Sequence, residues 1–175
     1  MSPEERARGL RLMVFDVDGV LTDGTLHIGA SGEETKSFHV RDGHGMKMLR
    51  ESGVALGIIT ARSSRAVELR ARDLGIELLR QGAHDKRAEF DDMLRGLGLE
   101  PNAAGYMGDD LVDLPVLLAC GFAATVPEAP QAVLSRAHFV TRCGGGRGAA
   151  REVCEFIMRA QGTLDAAIDR FAGRR

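Results

Sequence analysis

Tryptophan is absent, tyrosine occurs once, and only three of the 23 basic residues are lysine: Lys36, Lys47 and Lys86. Without aromatics interleaved among basic residues there is no stacking surface for a nucleic acid. A formal net charge of −2 also excludes a coat for polyanions that works through bulk positive charge. Cysteine is scarce and odd in number. Cys120, Cys143 and Cys154 show no CxxC spacing, which speaks against a disulfide or zinc framework and suits a reducing, cytoplasmic location. No apolar run approaches the roughly 20 residues that cross a bilayer, so no membrane role is expected. The opening MSPEERARGLRL is charged and lacks the apolar stretch of a secretory signal. The rarity of lysine itself fits the codon usage of a GC-rich genome. It also fits retention of lysine only where a compact ammonium is needed in place of a planar guanidinium.

What is present is enough for one domain. The 175 residues, 44% of them hydrophobic, bury roughly 70% of the unfolded surface in a chain of this size, so 1–175 reads as a single unit. Near-continuous apolar runs at 10–17, 54–60, 76–79, 103–108 and 122–126 suit strands covered on both faces, with HFVT (138–141) a short sixth. Between them, 44–52, 63–75, 85–98, 111–121 and 131–137 read as helices, the third with Phe90, Met93, Leu94 and Leu97 on one face. A last helix is expected at 148–162, followed by a polar tail at 163–175. TLHI (25–28) and TKSFHV (35–40) around GASGEE read as a hairpin flap. Strands alternating with helices give an α/β fold: a Rossmann-like parallel sheet flanked by helices, with right-handed crossovers and no separate cap domain. In such sheets the ligand sits beyond the carboxyl ends of the strands, which directs attention to Asp16, Asp18, Thr60, Asp109 and Asp110.

Asp16 and Asp18 stand two apart just past an apolar strand. Carboxylates there repel unless a cation intervenes, and a hard divalent ion such as Mg²⁺ takes one or two of them together with phosphate and water. Alone, the pair also reads as an acidic turn or a helix cap. Gly108-Asp109-Asp110 repeats the pattern after a second apolar strand, where a capped helix start is the plainer alternative. Thr60 ends IIT, where its hydroxyl and the next helix's free amides could meet a phosphate oxygen or simply cap the helix. Lys86 opens a helix as a point cation for phosphate or as a solvated surface residue.

In order, Asp-x-Asp-Gly, Thr, Lys and Gly-Asp-Asp-x-x-Asp resemble the four motifs of the haloacid-dehalogenase-like (HAD-like) phosphohydrolase superfamily, and DVDGVLTDG (16–24) is a specific form of the first. A closer resemblance, through DVDGVLTDG, FHVRDGHGMK (38–47), ITAR (59–62), GDDLVDLPV (108–116) and TRCGGGRGAAREVCEFIMRAQGTLD (141–165), is to the 3-deoxy-D-manno-octulosonate 8-phosphate phosphatase family. That resemblance implies Asp16 as nucleophile, Asp18 as proton donor and then base, and Thr60 and Lys86 on the phosphoryl oxygens. It implies Mg²⁺ held by Asp16, the backbone carbonyl of Asp18, and Asp109. Asp110 and Asp113 rank below Asp109, as candidates to orient Lys86, place a metal-bound water or cap a helix. The resemblance places substrate at Asp18, His39, Val40, Arg41, Asp42, Gly43, Lys47, Arg62, Arg70 and Lys86. Arginine suits the carboxylate of an acidic sugar phosphate. His39 departs from the asparagine expected there. The resemblance further implies a homotetramer whose neighbouring hairpins and tails close the site, and a cytoplasmic step toward lipopolysaccharide. A nine-carbon keto-acid 9-phosphate fits the same cations, and a phosphate-accepting signalling module or an inactive sugar-phosphate scaffold are the non-catalytic alternatives. The glycines of 144–146 read as a flexible loop, an anion nest or a subunit contact.

Overall fold

The computed structural model describes residues 1–173. It opens on a helix that the apolar pattern alone does not announce, Pro3–Arg8 (α1). Ser2 and Glu5 form a capping box: Ser2 Oγ accepts from Glu5 N at 3.2 Å, and the Glu5 carboxylate accepts from Ser2 N at 2.7 Å. Leu12–Phe15 (β1) follows with every residue buried. His27–Ile28 (β2) and Glu34–Thr35 (β3) pair antiparallel as the small flap. Val40–Glu51 (α2), Ala55–Ile59 (β4), Arg65–Leu74 (α3), Leu78–Arg80 (β5) and Lys86–Leu97 (α4) come next. Gly75 and Gly98 end α3 and α4 in the left-handed conformation that terminates helices. Ala104–Met107 (β6), a 3-10 turn at Leu111–Asp113 running into Leu114–Leu117 (α5), Phe122–Thr125 (β7), Gln131–Leu134 (α6) and Phe139–Val140 (β8) precede Ala149–Ala160 (α7) and Leu164–Phe171 (α8).

The main sheet has the order β5-β4-β1-β6-β7-β8 and every neighbouring pair is parallel. From β1 the chain moves outward to β4 and β5, then returns to the other side of β1 for β6, β7 and β8. The order reverses at β1, and a crevice opens beyond the carboxyl ends of β1, β4 and β6. Helices flank the sheet: α1 and α2 pack on α7, with α8 behind α7, while α4 packs with α5. The buried apolar side chains form one continuous cluster, with Tyr106, Phe15, Phe90 and Phe122 among its largest fully buried members.

Four local expectations are corrected. TKSFHV is not a strand through residue 40. Only Glu34–Thr35 pairs, His39 is the extended N-cap, and α2 already starts at Val40. Gly43 and Gly45 conceal that start by weakening the helical pattern. A Cβ on Gly43 would meet only the movable ends of Arg70 and Leu74, but one on Gly45 would sit 3.0 Å from the Arg151 backbone. Residues 111–121 split into the 3-10 turn and the short α5. Leu97 is 40% exposed, off the buried face of α4. The tail contains α8, which turns Leu164 and Ala167 inward, and Arg174 and Arg175 lie outside the described residues.

Candidate active site

The buried run of β1 delivers Asp16 to the crevice, where only 6% of the residue is exposed. Asp16 N donates to Met107 O at 2.9 Å, tying this strand end to β6. The carboxylate accepts from Val17 N through Oδ1 and from Lys86 Nζ through Oδ2, both at 2.7 Å. Lys86 reaches in from the first turn of α4, where Asp85 caps the helix by accepting from Ala88 N. Its ammonium also meets Asp113 Oδ1 at 2.7 Å. Asp113 is wholly buried and fully engaged. Oδ1 accepts from Lys86 and from Tyr106 Oη at 2.7 Å, while Oδ2 accepts from the amides of Asp109 and Asp110 at 3.0 and 3.1 Å. Asp113 thus fixes both the ammonium and the backbone that carries Asp109.

Carboxylate oxygens of Asp16, Asp109 and Asp113 lie within 4.8 Å of one another. Burial, and then the Asp113 charge, push the Asp16 carboxyl up to about 7 against the pull of Lys86. Burial, and then Asp16 and Asp113, push Asp109 up to about 7 as well. Burial disfavours the Lys86 ammonium, but Asp16 and Asp113 outweigh it and its pKa rises. The one cation in this cluster is Lys86, against three carboxyls. Asp109 Oδ1 is buried with no hydrogen-bond partner. An orphaned carboxylate oxygen facing a second carboxylate in a low-dielectric crevice suits a hard divalent cation, whose charge would relieve the repulsion. Asp16 and Asp109 are the side chains placed to hold it, because Asp113 is already committed.

A cavity of about 270 Å³ opens over the cluster, lined by Asp16, Asp18, Thr60, Arg62, Lys86 and Asp109 among others. Thr60 directly follows β4 and is buried, and its Oγ1 accepts from Arg62 N at 3.4 Å. The fold therefore brings together seven of the residues singled out in the sequence, Asp110 included. His39, Val40, Arg41, Asp42, Gly43, Lys47 and Arg70 stand apart from this cavity within the chain. His39, Asp42, Gly43 and Arg70 line a separate narrow crevice with Phe38. Asp42 is spent on α7, accepting from Gly148 N at 3.2 Å and Arg151 N at 2.8 Å. Arg70 lies 5.7 Å above the Phe38 ring and donates to Asp73 at 3.0 Å, while Lys47 is 3.6 Å from Asp73. Val40, 81% exposed, and Arg41 lie on the open first turn of α2.

Asp113, put forward to orient Lys86 or to cap a helix, does both at the centre of the site. Two features escaped the sequence reading. Lys36 of the flap ion-pairs with Asp18, and Glu34 pairs with both Lys36 and Arg62. The glycine loop supports the Asp16–Gly24 segment: Gly146 N donates to Val20 O at 2.9 Å, and a Cβ on Gly145 would strike the carbonyl oxygen of Gly19. Only the scarcity of lysine hinted at the first of these.

Comparison with known proteins gives a consistent picture. The chain is 45% identical over 162 residues to the 3-deoxy-D-manno-octulosonate 8-phosphate phosphatase of Escherichia coli K12, covering 93% of this chain and 86% of that protein. A crystal structure of the phosphatase of that name from Yersinia pestis superimposes with a TM-score of 0.91 at 44% identity, covering 93% of this chain and 88% of the other. One from Moraxella catarrhalis, in complex with magnesium, phosphate and a KDO molecule, gives a TM-score of 0.95 at 41% identity and covers 97% of each chain. No protein-family model matches the chain.

Proposed function

The chain belongs to the 3-deoxy-D-manno-octulosonate 8-phosphate phosphatase family of the HAD superfamily, and on that premise we propose that it hydrolyses 3-deoxy-D-manno-octulosonate 8-phosphate to the free sugar acid and inorganic phosphate. The observation that carries this reading is the convergence of Asp16, Lys86, Thr60 and Asp109 on one cavity at the switch point of the sheet. Asp16 attacks phosphorus and forms an aspartyl-phosphate, while the P–O bond to the sugar breaks and Asp18 gives its proton to the departing oxygen. Asp18 then takes a proton from water, whose oxygen attacks the same phosphorus, and Asp16 leaves as a carboxylate with phosphate released. Thr60 and Lys86 hold the phosphoryl oxygens in line. Asp16, Asp109 and the Asp18 carbonyl would hold Mg²⁺, which supplies charge neutralisation on the phosphoryl group.

The same reading assigns the sugar to His39, Val40, Arg41, Asp42, Gly43, Lys47, Arg62 and Arg70, and its carboxylate to the arginines. Most of these lie outside their own chain's cavity: His39, Asp42, Gly43 and Arg70 line a separate crevice, and Val40 and Arg41 are exposed. That placement supports a homotetramer in which one subunit closes the site of another. The reading also carries a cytoplasmic role supplying the sugar acid of lipopolysaccharide.

Phosphate release from this ester, from a nine-carbon keto-acid 9-phosphate and from glucose 6-phosphate, with Mg²⁺, tests the substrate. The eight-carbon acid should give the highest kcat/KM. Preference for the nine-carbon ester would change the substrate, and preference for the neutral sugar would end the acidic-sugar reading.

A further inference from the structure

Two of the three lysines end on the two aspartates that flank Val17. Lys86 pairs with Asp16, and Lys36 pairs with Asp18. Both are nearly enclosed, with side chains 4% and 3% exposed. In a chain that otherwise uses arginine, this points to two places where a compact ammonium is required. The Lys86 pair lies inside the cluster already described. The Lys36 pair belongs to the flap and has no part in the reaction sequence above.

Glu34 opens β3 and Lys36 follows its end, and their side chains meet on one side of the flap. Glu34 carries the contacts in two directions. Its Oε1 lies 2.9 Å from Lys36 Nζ, a contact of charge rather than an aligned hydrogen bond, and its Oε2 accepts from Arg62. The result is a continuous sequence of alternating charges, Asp18–Lys36–Glu34–Arg62. Its two ends, Asp18 and Arg62, both line the cavity. Enclosing the Lys36 ammonium costs solvation, and its two carboxylate partners offset that cost only while they stay in register; the Arg62 end is open to solvent. The flap holds that register through a tight turn in which Gly29 N donates to Glu33 O at 2.9 Å and Gly32 N donates to Gly29 O at 3.0 Å.

We propose that Lys36 and Glu34 are positioning residues: Lys36 fixes the Asp18 carboxylate for proton transfer, and Glu34 holds Arg62 at the cavity wall for the substrate's anionic end. This rests on the phosphatase reading above. Neither residue touches the reacting atoms, because neither lines the cavity. Each acts through a neighbour that does. The device makes the flap part of the catalytic geometry, so that displacing the hairpin would release Asp18 and Arg62 together.

The test compares Lys36→Met, Lys36→Arg and Glu34→Gln with the wild type in steady-state phosphate release, in inhibition by inorganic phosphate and in thermal unfolding. Lys36→Met should lower kcat by roughly 10- to 100-fold, the usual cost of losing an orienting partner, with KM little changed. Lys36→Arg should recover part of that loss. Glu34→Gln should act mainly on KM, by freeing Arg62. Inhibition by inorganic phosphate should be unchanged in all three, since Asp16, Thr60 and Lys86 are untouched. Wild-type kcat in Lys36→Met would overturn the proposal. So would a kcat loss matched by weaker phosphate inhibition and a lower Tm, which would mark a collapsed flap. If the wild type prefers another phosphate ester, the substrate reading falls, while the same comparison on that ester still decides the role of Lys36.

Discussion

Asp113 Oδ1 lies 2.7 Å from Lys86 Nζ, the same distance at which that ammonium meets Asp16. The wholly buried carboxylate therefore sets where the cation of the site stands, and its other oxygen sets the backbone of Asp109. Removing it should harm stability and turnover together. Asp113→Ala leaves Lys86 and the Tyr106 hydroxyl short of an acceptor, and should cost about 3–5 kcal/mol in urea unfolding. Asp113→Asn keeps the shape but not the charge. It should unfold at a higher urea concentration than the alanine variant and still lose kcat. Wild-type kcat in Asp113→Asn would contradict the placement of Lys86 by this residue.

Gly19 takes φ +85°, and a Cβ there would strike the Asp109 carboxylate. Gly19→Ala should lose about 1–2 kcal/mol from backbone strain alone. It should also raise the Mg²⁺ concentration needed for half-maximal activity, because Asp109 must move aside. A variant with the wild-type Mg²⁺ requirement would show that Asp109 is not a ligand.

The two crowded carboxyls make stability depend on pH. Asp16 and Asp109 titrate near 7 in the folded, metal-free chain against an ordinary 3.8. Between those values the folded state binds more protons than the unfolded one. The stabilising contribution is thus complete below about 4 and is lost as pH rises through about 7. A dication competes with those protons, so it should bind more tightly on the alkaline side. Added Mg²⁺ should raise Tm more at pH 8 than at pH 5, read by thermal unfolding in the two buffers. Equal shifts at both values would contradict the cation site.

Assembly is checked by sedimentation. The account predicts a mass near four chains, and a monomer with full activity would remove the shared closure of the site.

Much of the fold was legible because β1, β4, β6 and β7 are apolar runs buried on both faces, and because Gly75 and Gly98 mark the ends of their helices. The short α1 was missed although Ser2 and Glu5 carry its signature, since six residues give too little periodicity to notice. The carboxylates at strand ends were legible because charge at the mouth of a buried sheet is costly without a purpose. Asp113 was legible in part: it was a candidate to orient Lys86 or to cap a helix, and it does both, but only the tertiary fold brings Tyr106 onto it. The Lys36–Asp18 pair was not legible, because its members stand 18 positions apart across loop and hairpin and no local pattern links them.

The central claim is that Asp16 accepts the phosphoryl group. Its most direct test is rapid acid quench of the enzyme turning over 3-deoxy-D-manno-octulosonate 8-phosphate labelled with ³²P, with Mg²⁺, followed by peptide mapping. The account predicts covalent label on the peptide carrying Asp16, none after chelation with EDTA, and none in Asp16→Asn, whose turnover should fall by about 10⁴-fold or more. Label on another residue, or ordinary turnover in Asp16→Asn, would contradict it.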